Sequence, residues 1–289
     1  SVALARQIAT RYGDHPGLKI WHIGNEYGGS NTGGRCYCEL CENAFREWLH
    51  LRYGSLENLN HRWNTAFWSH TYTSWDEVEA PFAHGERSIE SLQIDYDRFQ
   101  SESLLDCYRA EAKILREITP KIAITTNLMG AYKPLDYHAW AREMDIVSWD
   151  SYPPKGAPPE EMAFSHSLMR GLKEGQPWLL MEQTPSQQNW QSHNALKRPG
   201  VMRLWSYQAL AHGADSVMYF QWRRSRCGPE KFHGAVVEHV GTSEPRVFGE
   251  VAQLGKELRE LGTQTLGARV KADVALLFDW ENWWALEYS

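Results

Sequence analysis

Five short runs along the chain are almost continuously apolar. They are Lys19–Gly24 (KIWHIG), Lys121–Asn127 (KIAITTN), Asp145–Asp150 (DIVSWD), Pro177–Glu182 (PWLLME) and Asp215–Trp222 (DSVMYFQW). Rich in β-branched and aromatic residues and lacking clean alternation, such runs suit parallel strands covered on both faces. Between and before them lie segments with apolar residues at helical spacing. These predict helices over Ala3–Tyr12, Glu39–Tyr53, Ser91–Thr119, Pro159–Glu174 and Gly200–His212, with stops at Thr119-Pro120 and Gly175. Strand-helix-strand alternation builds βαβ units and a parallel α/β sheet.

Five strands fit either a doubly wound sheet or part of a (β/α)8 TIM barrel. Their endings favour the barrel. Four finish on polar residues: Asn25-Glu26, Asn127, Asp150 with Tyr152 close behind, and Glu182. The fifth runs into the polar aromatic loop Trp222–His233. A barrel brings every strand's C-terminal end to one mouth, whereas an open sheet concentrates polar ends at its switch point. No glycine-rich phosphate fingerprint follows any strand, so a nucleotide-binding sheet has little support. The expected fold is therefore part of a (β/α)8 barrel.

A further helix is predicted over Arg246–Leu261. It is followed by a Gly- and Thr-containing link near 265–271 and an apolar run, Asp273–Phe278, that reads as the first strand of another α/β domain. The expected division is 1–268 for the barrel part and 269–289 for the start of the second unit. The chain opens on Ser1 in a segment that already reads as helix, which suggests an internal fragment whose beginning is missing. The long irregular stretch Asn60–Arg87, rich in Trp and Tyr, reads as a lid or substrate wall.

Composition narrows the function. The 289 residues carry a net charge of −6 and no basic patch, which argues against nucleic acid as a partner. No run approaches the roughly 18 apolar residues that span a bilayer. The 14 tryptophans point either to sugar-stacking surfaces or to a Trp-rich core. Five cysteines, three of them crowded into six residues, make a poor disulfide framework and a reducing, cytoplasmic setting.

Two features carry chemistry. Glu26 and Glu182 both end strands, so both should face the barrel mouth. Paired carboxylates across a sugar are the equipment of glycoside hydrolysis, one protonated to assist the leaving oxygen and one ionised to attack. Asn25-Glu26, an amide beside a carboxylate near an aromatic, fits the acid. Glu182, after WLLM, fits the nucleophile. The plain alternative is two unrelated salt-bridging glutamates. The second feature is Cys36, Cys38 and Cys41, a C-x-C-x₂-C cluster whose thiolates suit one structural zinc. Cys107 sits mid-helix and reads as a small packing residue, and Cys227 has no sharp role.

The stretches WHIGNEYGG…CYCELCENAFREWL, LNHRWNTAFWSHTY, TTNLMG, DIVSWDSYP, LLMEQTPSQQNWQ and EKFHGAVV, in that order, resemble the β-galactosidases of glycoside hydrolase family 42 over nearly the whole chain. That resemblance implies a (β/α)8 barrel, of which this chain would hold about strands 4–8, followed by a Rossmann-like trimerisation domain and a small β-domain. It also implies removal of terminal β-D-galactose with retention of configuration. It makes Glu26 the acid/base and Glu182 the nucleophile, with Asn25 holding the 2-hydroxyl. Tyr152 is then the tyrosine near the nucleophile, Trp190 the aromatic wall, and Glu230 and His233 the pair reading the outer hydroxyls. It implies a zinc whose fourth cysteine ligand lies upstream of this chain, and a homotrimer at full length. An arginine that the family supplies from an early strand has no counterpart here. Rival readings are a relative acting on β-D-fucosides or α-L-arabinopyranosides, and a non-catalytic, zinc-stabilised sugar-binding protein.

Overall fold

The computed structural model describes residues 1–29, 35–81 and 89–288. Its strands are all parallel: β1 (Ile20–His22), β2 (Ala123–Thr125), β3 (Asn127–Leu128), β4 (Ser148–Asp150), β5 (Trp178–Glu182) and β6 (Ala214–Val217). β1 pairs with β2, while β3, β4, β5 and β6 follow one another in chain order. Only Thr126 separates β2 from β3, so the two are one strand interrupted by a residue. The five expected strands are thus present, side by side in sequence order, as an arc of barrel wall.

The interruption at Thr126 is bridged by side chains. Thr125 Oγ1 donates to the Ile146 carbonyl at 2.7 Å, and Ser148 Oγ donates to the Thr126 carbonyl at 2.9 Å. These hydroxyl bonds to the Ile146 and Thr126 carbonyls offset the full burial of Thr125 and Ser148.

The helices are α1 (Val2–Tyr12), α2 (Glu39–Tyr53), α3 (Leu56–Trp63), α4 (Glu90–Ile118), α5 (Tyr137–Glu143), α6 (Pro159–Gly171), α7 (Val201–Ala211), α8 (Arg246–Thr265) and α9 (Trp280–Tyr288). The expected helices all form, within a few residues of their predicted ends. One core lies between the strands and α1, α4, α5, α6 and α7 and includes Ile124, Trp140, Trp149 and Trp178. A second, built on Phe45, Leu49, Leu59, Trp63 and Tyr96, closes the excursion after β1. Six of the 14 tryptophans are buried, so the Trp excess is in large part a packing feature.

Three expectations are corrected. The region from Asn60 is not wholly irregular: α3 reaches Trp63, its start capped by Ser55 Oγ, which accepts from the Asn58 N–H at 3.2 Å. Residues 82–88 of the expected lid lie outside the described residues. No strand forms over Asp273–Phe278. Val274, Leu276 and Leu277 are exposed, and among the described residues no neighbouring strand lies alongside to complete a ladder. The chain then returns as α9, whose Trp280 and Trp284 are fully buried and whose indole N–H groups donate to the Tyr132 and Lys133 carbonyls. Cys107 is exposed rather than packed.

Candidate active site

The strand endings determine which side chains meet. After β1 the chain turns through Gly24 (φ 63°) to Glu26, itself at φ 44°. A Cβ on Gly24 would lie 2.6 Å from the Tyr27 ring, which packs on Trp140 with centroids 5.0 Å apart, so the turn needs glycine. A glutamate at positive φ is uncommon and is kept only where its surroundings over-determine it. Here the Glu26 N–H donates to Asn127 Oδ1 at 2.9 Å.

Asn127 uses every valence of its amide. Its Oδ1 also meets His22 Nε2 at 2.9 Å, and its Nδ2 donates to Asn25 Oδ1 at 3.0 Å and to Asp150 Oδ2 at 2.5 Å. One buried amide therefore ties the ends of β1 and β4 together. On the next strand Asp150 and Glu182 are register partners, and a bulge at Trp149/Asp150 brings them level. One oxygen from each of Glu26, Asp150 and Glu182 lies within 4.8 Å of the others.

Environment separates these carboxylates. Asp150 is nearly fully buried, and burial, reinforced by Glu182 and Glu26, pushes its pKa far above the ordinary carboxylate range. Burial also raises Glu182, against the opposing effect of Tyr152, whose hydroxyl donates to Glu182 Oε2 at 2.6 Å. The same burial and the adjacent carboxylate push the Tyr152 phenol strongly upward, so it stays a donor.

Asn25, Glu26, Tyr152, Glu182, Trp190, Glu230 and His233 all line one cavity of about 760 Å³. Trp190 is largely exposed, and its indole N–H donates to Glu230 Oε1 at 3.2 Å. His233 is buried, with its ring set edge-on to Tyr152 and Phe220. Its Nδ1 accepts from the Asn189 N–H at 3.4 Å, and among the described residues its buried Nε2 has no hydrogen-bond partner. A buried, unpaired ring nitrogen at a cavity wall suits a polar ligand, since leaving it unpaired is costly.

The family model described as beta-galactosidase, for glycoside hydrolase family 42, matches residues 1–261. The chain belongs to glycoside hydrolase family 42. Its relatives include β-galactosidase BgaP of Planococcus sp. (strain L4), 57% identical over 100% of this chain and 43% of the relative. β-Galactosidase bgaB of Geobacillus kaustophilus is 50% identical over 99% of this chain and 42% of its own length. The crystal structure of β-galactosidase from Bacillus circulans sp. alkalophilus superposes with a TM-score of 0.95 at 57% identity, over 99% of this chain and 43% of that one. The parallel arc is thus part of the (β/α)8 barrel of the family, and the chain spans about two fifths of the length of these relatives.

Two members of this family-42 site were not assigned roles from sequence. Asn127 and Asp150 are visible there as polar strand ends, but their convergence on Glu26 depends on strand register. Gln188 and Asn189 also line the cavity. They sit in the loop after β5, where only their polarity marks them.

The cysteine cluster lies apart from this cavity. Sγ atoms of Cys36, Cys38 and Cys41 fall within 4.8 Å of one another, with Cys36 and Cys38 at 3.4 Å. Cys38 precedes α2 and Cys41 lies in its first turn. The Cys36 N–H donates to Gln100 Oε1 at 3.0 Å, and its carbonyl accepts from the Tyr96 hydroxyl, so α4 holds the same segment.

Proposed function

We propose that the protein is a retaining β-galactosidase in which Glu26 is the acid/base and Glu182 the nucleophile. The observation that carries this reading is the close approach of the two carboxylates. Their oxygens lie within 4.8 Å of each other, nearer the ~5–5.5 Å spacing of retaining glycosidases than the ~6.5–9.5 Å that admits a water in inverting ones. In the first step Glu182 attacks the anomeric carbon while Glu26 gives its proton to the departing oxygen, so the C–O bond breaks as an acyl-type glycosyl ester forms. In the second, Glu26 takes a proton from water, whose oxygen attacks the same carbon and frees Glu182. Two inversions give retention.

The polar neighbours support galactose as the sugar. Galactose differs from glucose by an axial 4-hydroxyl, and reading it needs directed donors and acceptors. Glu230 and the unpartnered His233 Nε2 supply both at one end of the cavity, with Trp190 alongside as an apolar face.

We infer also that Cys36, Cys38 and Cys41 hold a structural zinc ion. Soft thiolates at this separation fit a tetrahedral site, leaving one position for a donor outside the cluster. The homotrimer and the cytoplasmic setting belong to the same proposal, supported by family membership and by five free thiols. Among the described residues no helix is long and apolar enough to cross a membrane.

The test is Glu182→Gly in the full-length protein carrying this chain. Hydrolysis of nitrophenyl β-galactoside should be abolished, and azide should restore turnover while yielding the α-galactosyl azide. Rescue with a β product, or a wild type slower on galactoside than on β-D-fucoside and α-L-arabinopyranoside, would overturn the reading.

A further inference from the structure

Among the described residues, the stretch between β6 and α8 holds no helix or strand and only one isolated bridge, Arg223 with Val237. Yet it carries Glu230 and His233. A long backbone ladder does not fix these two side chains, so other bonds must.

One side chain gathers the stretch. Arg224 is largely buried, and its Nη1 pairs with Glu238 Oε2 at 2.6 Å. Its Nε donates to the Lys231 carbonyl at 3.3 Å and its Nη2 to the Phe232 carbonyl at 3.2 Å. Lys231 and Phe232 are the two residues that separate Glu230 from His233. The rest of the fork faces Gln187. A guanidinium only donates, so the Gln187 amide turns its oxygen there. That oxygen accepts from Nη1 at 3.0 Å and from Nη2, while the amide nitrogen donates to Ser186 Oγ at 3.1 Å. Every N–H of the fork is then in use.

Gln187 belongs to the loop after β5, the strand that ends on Glu182. The two loops meet directly. The Gly234 N–H donates to the Gln187 carbonyl at 2.7 Å, and a Cβ on Gly234 would lie 2.9 Å from that oxygen. The Asn189 N–H reaches His233 Nδ1 at 3.4 Å, and Asn189 Nδ2 donates to the Pro229 carbonyl. Arg224 stands behind the cavity wall, whereas Glu230, His233 and Asn189 form it.

We propose that Arg224 is a positioning residue for sugar selection. Its guanidinium, anchored by Glu238 and Gln187, holds the Lys231 and Phe232 carbonyls and so sets where Glu230 and His233 meet the sugar. The planar fork is what the place requires. Lysine has three donors on one nitrogen, too few for two carbonyls, a carboxylate and an amide. The inference rests on Glu230 and His233 reading the 4-hydroxyl, as proposed above.

The experiment compares Arg224→Lys and Glu238→Gln with wild type in the full-length protein. kcat/KM is measured on nitrophenyl β-galactoside and on its 4-deoxy analogue in the same preparation, so their ratio is independent of the fraction folded. Wild type should prefer the galactoside. Arg224→Lys should lose about 10²-fold on the galactoside, the order expected of a misplacement near 1 Å. It should lose less than about threefold on the analogue, which has no 4-hydroxyl to misread. Glu238→Gln keeps an acceptor without its charge and should lower the preference by about three- to tenfold. A preference unchanged in Arg224→Lys would make Arg224 a stabilising ion pair only and overturn the proposal. Where Arg224→Lys does not fold, Glu238→Gln decides by the same ratio. Amide hydrogen exchange gives a second reading that involves no sugar. Arg224→Lys should speed exchange across residues 230–234 while β4 and β5 stay as protected as in wild type. Unchanged exchange there also overturns the proposal. A wild type with no preference for the galactoside over its 4-deoxy analogue would sink the reading of Glu230 and His233 instead, and exchange would still decide whether Arg224 fixes their segment.

Discussion

Glu182 stands between two opposing influences. Burial, with Glu26 and Glu230 nearby, disfavours its charge, and the Tyr152 hydroxyl at 2.6 Å favours it. The net direction is upward. A nucleophile works only when ionised, so the acid limb of kcat/KM should lie above the ~4.3 of a free glutamate, activity rising as pH climbs through it. Removing the phenol tips the balance further. Tyr152→Phe should move the acid limb up by about one pH unit, since a hydrogen bond to a charged group is worth about 1.5–3 kcal/mol and one unit is about 1.4. kcat/KM at neutral pH should fall at least about tenfold, because the same bond orients the attacking oxygen. Profiles of the two proteins measured side by side decide it. An unmoved acid limb would mean that Tyr152 packs against Glu182 without tuning it.

At the scale of elements, the segment from Arg35 into α2 is held from two sides. Arg35 pairs with buried Asp97, and the Tyr288 hydroxyl donates to that same carboxylate at 2.6 Å, so α4 and α9 grip the segment leading to Cys36. The thiol cluster then joins it to the start of α2. Zinc there would clamp the Glu26 loop to that helix without touching substrate. Purified full-length protein should hold about one zinc per chain by elemental analysis, and Cys38→Ser should lose it. Chelation should lower the melting temperature by about 5 °C, equivalent to roughly 2 kcal/mol in a domain of this size. Zinc-free protein melting at the same temperature as the untreated one would remove the clamp. Much of this scaffold was legible in the sequence. Buried parallel strands announce themselves as apolar runs, and Glu26 and Glu182 could be placed because each ends one. The observed strands are shorter than the runs, β1 and β4 holding three residues each, and register shifts at Trp149/Asp150 and Trp178/Leu179 fall within the ladders. α5, only seven residues long, offers little periodicity beyond its cap, Asp136 Oδ1 accepting from the His138 N–H. In α9 the crowding of Trp280, Trp283 and Trp284 blurs the helical period. The contact of Asp150 with Glu182 depends on cross-strand register, which a sequence does not encode locally.

The whole molecule is an arc of wall whose ends are open. Among the described residues β1 pairs only with β2, and β6 only with β5, so each presents an unpaired edge. Apolar side chains lie uncovered near both ends of the chain: Val2, Leu4, Ile8 and Tyr12 on α1, and Val274, Leu276 and Leu277 before α9. α1 is held to α4 by its other face, where Ala9 is buried. Unpaired edges and contiguous apolar patches are templates for association. Relatives more than twice as long have further chain with which to cover such surfaces. The 289-residue chain expressed alone should therefore self-associate, sedimenting well above its 33.4 kDa and binding a hydrophobic dye at neutral pH. The full-length protein should show far less dye binding per chain. Sedimentation velocity separates the outcomes, and a dye-silent monomer of the short chain with a single cooperative unfolding transition would mean that the arc closes on itself. Activity follows the same logic. Glu26 is carried by the edge strand β1 and Glu182 by the interior strand β5, so loosening the β1 edge should disable the acid/base before the nucleophile. In the short chain, then, substrates with an activated leaving group, which need little protonic assistance, should outlast those with a poor one.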